Sequence, residues 1–573
     1  MSAAESSNKM TQALDDLIGV AEDPIGALDP VSFGRSLMRV GPSLLTKPTA
    51  VASAQVRLAV GYASALSATA ARMIGKETAA PVAPEPGDRR FSDKAFSENP
   101  LYFWTLQNYL LWKQLVIELL DAAALPESDD VKARFAASLL VDAMAPTNNL
   151  FLNPAALRLA IETRGESVVK GMRNAIDDIR NNGGWPSQVS SEGMVVGENM
   201  AATPGAVVYR SELIELIQYT PQTETVHEVP LLFCPPWINK FYIMDLAPER
   251  SLIEWAVQHG HTVFAISYRN PDENMSETSF QDYLMYGPLE AVSVVREITG
   301  AESVNTVSVC LGGTLTAIGM AHLAQTGERP INSATFLNTH TDFTMPGQLG
   351  TFTDEATIAG LEKRMAKKGY LESTEMSHTF DLLRANDLVF NYVVNNWLMG
   401  KEPPTFDLLT WNSDGTRMPA RMHSEYLRSC YLRNEFARGE FKVNGEPVDP
   451  RKVDVDTYVL AAVDDHIVPW QSGYKTTQLL GGANRFVLSN SGHIAGIVNP
   501  PNPKSKHWTN EENPVDPAEW KAGAEQHDET WWEDWARWIA ERSGPQVAPP
   551  ATLGSDAYPA LDPAPGLYVH GRA

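Results

Sequence analysis

The sequence is poor in cysteine and in positive charge. Its 573 residues hold three cysteines, Cys234, Cys310 and Cys430, far apart and without C-x-x-C spacing. That excludes a disulfide framework and a structural zinc site, so no metal is expected, and it suits a reducing cytoplasm. Lys and Arg number 46 against 70 Asp and Glu, a net charge of −24. Nucleic acid is therefore excluded as the main partner, because phosphate binding needs clustered cations. A local basic site for an anionic substrate stays open. No run of 18 apolar residues occurs, so no transmembrane helix is expected. Met1-Ser2-Ala3-Ala4-Glu5 shows no basic region leading into an apolar core, so no signal peptide is expected.

What is present is enough apolar residue, 43%, for a sizeable core, in a chain too long for one ordinary domain. Residues 1 to about 20 are polar and read as loosely held. Residues 31–75 are Ala-rich and helical, either packing within an N-terminal domain or presenting an amphipathic surface. Pro81, Pro84, Pro86 and Gly87 mark a linker. From Asn99 to about Asn182, Leu106, Tyr109, Leu110 and Leu115 recur at helical spacing. The expected domains are a helical segment with linker (1–85), an all-helical N-terminal domain (86–195) and a catalytic domain (196–573). In the last, strands at Val229–Phe233, Thr262–Ser267, Val304–Val309, Ala334–Leu337, Thr457–Val463 and Arg485–Leu488 alternate with helices, which implies a helix-covered parallel sheet. The alternation stops over about 341–450, an aromatic-rich insert that reads as a cap over a site. A late helix carries Trp531, Trp532, Trp535 and Trp538, read as helix-to-sheet packing.

The chemistry centres on Val304–Val309 followed by Cys310-Leu311-Gly312-Gly313 and a helical run. Strand, sharp turn and helix with a nucleophile at the turn is the nucleophile elbow of the α/β-hydrolase fold. Cys310 stands where that fold usually has Ser, and Ser308 where it usually has Gly, which raises the prospect of strain there. The fold orders nucleophile, acid and histidine along the chain. The strand at 457–463 ends in Asp464-Asp465-His466, and the strand at 485–488 leads to Ser491-Gly492-His493. Both lie at C-terminal strand ends, where open α/β sheets place their sites. Asp464 and His466 compete with Asp465 and His493, and the Ser-Gly-His turn favours His493. The oxyanion hole is expected at the backbone N–H of Leu311 and at Trp237 or Ile238, since Pro235 and Pro236 offer no N–H. Cys234 reads as packing. A thiol exchanges acyl groups with a thioester almost isoenergetically and keeps the product activated, which favours acyl transfer from a CoA thioester over hydrolysis.

The blocks around these residues resemble class I polyhydroxyalkanoate synthases. The resemblance is carried by Pro235-Pro236-Trp237-Ile238-Asn239-Lys240-Phe241, Ser267-Tyr268-Arg269-Asn270-Pro271, Asp464-Asp465-His466-Ile467-Val468-Pro469-Trp470, Ser491-Gly492-His493-Ile494-Ala495-Gly496, Asp88-Arg89-Arg90-Phe91 and His507-Trp508-Thr509-Asn510. It implies polymerisation of (R)-3-hydroxyacyl-CoA, 3-hydroxybutyryl-CoA first among them, with release of CoA. Cys310 is then the acylated nucleophile, His493 its base, and Asp465 linked to activating the 3-hydroxyl, directly or through His493. The resemblance also implies a cytoplasmic homodimer on polyester granules. The CoA thioester enters as substrate, with no resident cofactor. Ala495 is expected to line the acyl pocket. The alternatives are a Cys-dependent esterase or thioesterase, told apart by product fate, and a granule scaffold with a retired site, against which the complete Cys-Asp-His set argues.

Overall fold

Strands that alternate with helices place Cys310, Asp465 and His493 at one end of a ten-stranded sheet. The computed structural model describes residues 30–76 and 78–572; the polar stretch of residues 1 to about 20 lies outside them. The chain divides into two units. One comprises the N-terminal residues to Ser190 together with Glu375–Pro404. The other comprises Ser191–Thr374 and the chain from Thr405 onward.

The first unit is helical: α1 (Pro30–Leu45), α2 (Pro48–Met73), α3 (Pro100–Ala123), α4 (Glu127–Ala143) and α5 (Glu166–Asn181). Asn99 caps α3, accepting from the Leu101 N–H at 2.9 Å, and Pro100 sits at the first turn, where its missing N–H costs nothing. Phe91, Phe96, Leu106, Tyr109 and Leu110 form its core. Arg90 pairs with Asp88 at 2.9 Å and Asp142 at 3.2 Å, fixing the chain where the linker enters. Both readings of residues 31–75 find a counterpart in α2: Ala54, Ala65 and Ala68 are buried, while Val56, Val60 and Leu66 are exposed.

The segment Glu375–Pro404 falls within the insert that the sequence reading treats as one cap. In the structure it packs on the helices of the first unit. Trp397 Nε1 donates to Asp178 at 2.6 Å, and Trp185 Nε1 donates to Asp381 at 2.9 Å. A Cβ at Gly171 of α5 would lie 2.0 Å from the Trp397 carbonyl oxygen, so glycine is required for this approach. Contacts between residues 196 and 219 positions apart decide the assignment, and local helical periodicity does not encode them.

The second unit is built on strands β1 (Gly205–Arg210), β2 (Ile214–Tyr219), β3 (Leu231–Cys234), β4 (Val263–Tyr268), β5 (Val304–Val309), β6 (Ile331–Leu337), β7 (Asp456–Ala462), β8 (Asn484–Ser489), β9 (His507–Thr509) and β10 (Glu525–His527). Their order is β1-β2-β4-β3-β5-β6-β7-β8-β9-β10. The run from β4 through β8 is parallel, and the outer pairs are antiparallel. The parallel strands are buried on both faces; β3 reads as a continuous apolar run, whereas β5 also buries Asn305, Thr306 and Ser308. Helix α6 (Leu311–Thr326) follows β5, and helix α7 (Trp531–Ala540) buries its four tryptophans in the core. The helical stretch between β4 and β5 is interrupted by a π-turn at Met285–Leu289 holding Pro288. Proline removes an N–H and clashes with the preceding turn, so the helix cannot run straight through. Two short helices, Trp470–Tyr474 and Thr476–Leu479, connect β7 to β8.

Candidate active site

Cys310 ends β5 and caps α6 with φ 50° and ψ −118°. Positive φ is costly for a residue with a Cβ, so the strain of the elbow sits on the nucleophile itself. Its N–H donates to the Leu337 carbonyl at 2.8 Å, and its carbonyl accepts from the Gly313 N–H at 3.0 Å. The turn needs the following glycine. A Cβ at Gly312 would lie 2.3 Å from the Cys234 carbonyl oxygen and 2.6 Å from that of Pro235. The start of α6 and the loop after β3 are thus pressed together.

Ser308 is not where the strain lies. It pairs in register with Cys234 and Phe336 and is fully buried. Its hydroxyl donates to Thr316 Oγ1 at 3.0 Å, and Thr316 donates to the Gly312 carbonyl at 2.8 Å. A serine at this position therefore braces the first turn of α6. Cys234 is buried beside it, and burial pushes its thiol up to about 12, which keeps it neutral. This agrees with a packing role.

His493 Nδ1 lies 2.6 Å from Asp465 Oδ2. The other carboxylate oxygen, Oδ1, accepts from the Ile467 N–H at 2.9 Å and the Val468 N–H at 2.8 Å. Both oxygens are occupied, so the carboxylate has one orientation. Burial of the imidazole opposes its charged form. The Asp465 charge, then that of Cys310, and the hydrogen bond to Asp465 outweigh this and raise His493 to about 10. With Nδ1 committed to Asp465, Nε2 is the nitrogen left for Cys310. Of the two candidate acids, Asp464 is exposed, whereas Asp465 is buried against His493.

Leu311 opens α6, where the first N–H groups have no acceptor within the helix. Trp237 and Ile238 lie in the loop after β3. Thr416 Oγ1 lies 2.6 Å from both of their carbonyl oxygens, which fixes the loop. Ala495 is exposed in the turn that follows His493.

Two residues that the sequence did not single out, Tyr426 and Tyr431, are buried within electrostatic reach of Cys310. Burial raises both phenols, and their rings meet edge to face with centroids 5.6 Å apart. Tyr426 packs against Trp237 at 5.6 Å between ring centroids, and Tyr431 against Phe343 at 4.9 Å. Residues five apart do not share a face of an α-helix. The π-turn Leu427–Leu432, with i to i+5 bonding, brings them to one side, and nothing in the local sequence announces it.

Comparison with known proteins gives the fold and the family. A family model described as poly-beta-hydroxybutyrate polymerase (PhaC) N-terminus matches residues 87–256, and one for the alpha/beta hydrolase fold matches residues 229–500. The poly(3-hydroxyalkanoate) polymerase of Methylorubrum extorquens is 42% identical over 553 residues, covering 96% of this chain and 91% of that one. Polymerase 1 of Ectopseudomonas oleovorans is 43% identical, covering 87% and 89%. The polymerase subunit PhaC of Cupriavidus necator is 44% identical, covering 85% and 83%. Identity at this level along nearly the whole length, on an α/β-hydrolase sheet with a helical N-terminal region, means that the chain belongs to the poly(3-hydroxyalkanoate) polymerase family.

Proposed function

We propose that this acyltransferase polymerises (R)-3-hydroxyacyl-CoA, with 3-hydroxybutyryl-CoA as the expected monomer, through a thioester on Cys310. The observation that carries the reading is the 2.6 Å His493–Asp465 contact beside a cysteine held at positive φ on the elbow. His493 Nε2 takes the proton from Cys310 Sγ, and Asp465 stabilises the imidazolium that forms. The thiolate attacks the thioester carbonyl. The backbone N–H of Leu311, with that of Trp237 or Ile238, holds the oxyanion. The C–S bond to CoA breaks, and the departing thiolate recovers the proton from His493. The 3-hydroxyl of the next unit then loses its proton to His493, backed by Asp465, and attacks the acyl-Cys310 thioester. A C–O ester bond forms and Cys310 is released.

No helix among the described residues is long and apolar enough to cross a membrane. The exposed Val56, Val60 and Leu66 on α2 and Val169, Met172, Ile176 and Ile179 on α5 support association with a polyester granule surface in the cytoplasm. The reading includes a homodimer as the active form. Supplying (R)-3-hydroxybutyryl-CoA and following thiol release and turbidity together tests the reaction. Wild-type protein should give both, and Cys310→Ala should give neither while folding normally. Thiol release with free hydroxy acid and no polymer would make the protein a thioesterase; activity in Cys310→Ala would remove Cys310 as nucleophile.

A further inference from the structure

We propose that Asn338-Thr339-His340, the three residues that follow β6, are positioning residues that set the mutual geometry of Cys310, Asp465 and His493. The inference rests on the roles proposed above for those three. In the sheet β6 lies between β5, which delivers Cys310, and β7, which leads to Asp465. Its C-terminal end is thus a place from which one segment can touch every catalytic loop, and it does. Asn338 Nδ2 donates to the His493 carbonyl. Thr339 Oγ1 donates to the Cys310 carbonyl at 3.1 Å. His340 Nε2 lies 3.1 Å from the carbonyl of Ile467, whose own N–H holds Asp465 Oδ1.

The protonation of His340 follows from its partners. A carbonyl can only accept, so Nε2 carries the proton. Burial lowers His340 to about 4 and keeps the ring neutral, which leaves Nδ1 an acceptor 2.9 Å from the Ser472 hydroxyl, whose one proton is shared between Nδ1 and the Asp342 carbonyl, also 2.9 Å away. The segment is also tied back to the nucleophile helix, since Thr314 Oγ1 donates to the His340 carbonyl at 2.7 Å. A Cβ at Gly313 would lie 2.2 Å from Thr339 Oγ1, so α6 and this segment are in close contact.

The arrangement is costly. Asn338 has φ 47°, is fully buried, and its Oδ1 has no hydrogen-bond partner. Strained backbone and an unmet acceptor together persist only where the surroundings enforce them. Here they hold the amide on the backbone of the catalytic histidine. Because β6 is central, a shift of this segment would move the sulfur, the imidazole and the carboxylate relative to one another without touching substrate.

Three variants separate positioning from folding. Asn338→Gly suits the positive φ but deletes the amide. His340→Leu keeps the volume and deletes both ring hydrogen bonds. His340→Gln restores a donor and an acceptor. The readouts are kcat and KM for CoA release and the rate of Cys310 alkylation by iodoacetamide. Asn338→Gly and His340→Leu should lower kcat roughly 10- to 100-fold, the scale of an ångström-sized misplacement, with KM changed less than about twofold. Alkylation should slow in parallel, and His340→Gln should recover most of the loss. If folded Asn338→Gly keeps kcat and alkylation within about twofold of wild type, the proposal is overturned; that variant decides even where His340→Leu does not fold. Cys310→Ala run alongside distinguishes the failures. Activity in it sinks the nucleophile assignment, whereas an inactive Cys310→Ala beside an unaffected Asn338→Gly sinks only the positioning role.

Discussion

Asp465 is held by three hydrogen bonds, two from backbone N–H groups and one from His493 Nδ1. Asp465→Asn keeps the shape but offers an amide where the imidazole N–H needs an acceptor, so the ring turns to the wrong tautomer. The expected result is a fall in kcat of about 10³- to 10⁴-fold with KM little changed, the scale seen when a serine-protease triad loses its acid. Steady-state CoA release checks it, and a loss under tenfold would remove Asp465 from the proton path. Ser308 lends itself to the opposite test. Its hydroxyl bridges to Thr316, and the residue lies within a regular ladder rather than at a strained turn. Ser308→Gly should therefore destabilise the protein by about 1–2 kcal/mol, from a lost hydrogen bond and a glycine in a strand, and leave kcat nearly intact. Urea unfolding with a parallel activity assay measures both. A large loss of activity at unchanged stability would show that the serine acts in the chemistry.

Helix α7 shows how an element far along the chain serves the site. Trp531 Nε1 donates to the Gly496 carbonyl at 2.8 Å and Trp532 Nε1 to the Ile497 carbonyl at 2.9 Å, so two tryptophans grip the turn that follows His493. Trp535 Nε1 reaches Thr335 of β6 at 2.9 Å. The helix-to-sheet packing read from the sequence is real, and the indole N–H groups add a tether that apolar periodicity cannot reveal. Trp531→Phe should cost about 1–3 kcal/mol through the lost N–H and packing, and lower kcat several-fold by loosening the turn. Unfolding and CoA release measured on one preparation would show it, and unchanged kcat at lowered stability would confine Trp531 to packing. The central strands were legible because short β-branched and apolar stretches alternate with helical ones; Val304–Val309 was placed to the residue. β9 and β10 were not. His507–Thr509 and Glu525–His527 are three residues each, polar except for Trp508, and only pairing with β8 and with each other makes them strands. The candidate site followed the same division. Cys310, Asp465 and His493 were legible through their order and strand ends, whereas Asn338, His340, Tyr426 and Tyr431 take their places from long-range contacts and a π-turn.

On the scale of the whole molecule, the buried histidines set opposite limits in pH. His493 is raised to about 10 by the Asp465 and Cys310 charges, which outweigh burial. Its contribution to stability is fully present below the unfolded value near 6.5 and is lost as pH rises from there through about 10. His261, His340 and His423 go the other way. Burial lowers them to about 3, 4 and 4, so each is neutral when folded and takes up a proton on unfolding as pH falls below about 6.5. The unfolded state then binds more protons, and stability falls with acidification. His493 offers no compensation there, because its own contribution is already complete. Asp245, which burial raises, opposes the trend only where its carboxyl takes up its proton. His423 isolates one share of the acid limb, since it is buried with Nδ1 lacking a partner and lies outside the proposed proton path. His423→Leu removes the titration, each pH unit of which is worth about 1.4 kcal/mol. Between pH 7.5 and pH 5 the variant should therefore lose about 2 kcal/mol less stability than wild type in urea unfolding, the window below 6.5 spanning about one and a half units. Equal losses in the two proteins would show that His423 is charged in the folded state or solvated, and would shift the acid limb to the remaining buried groups.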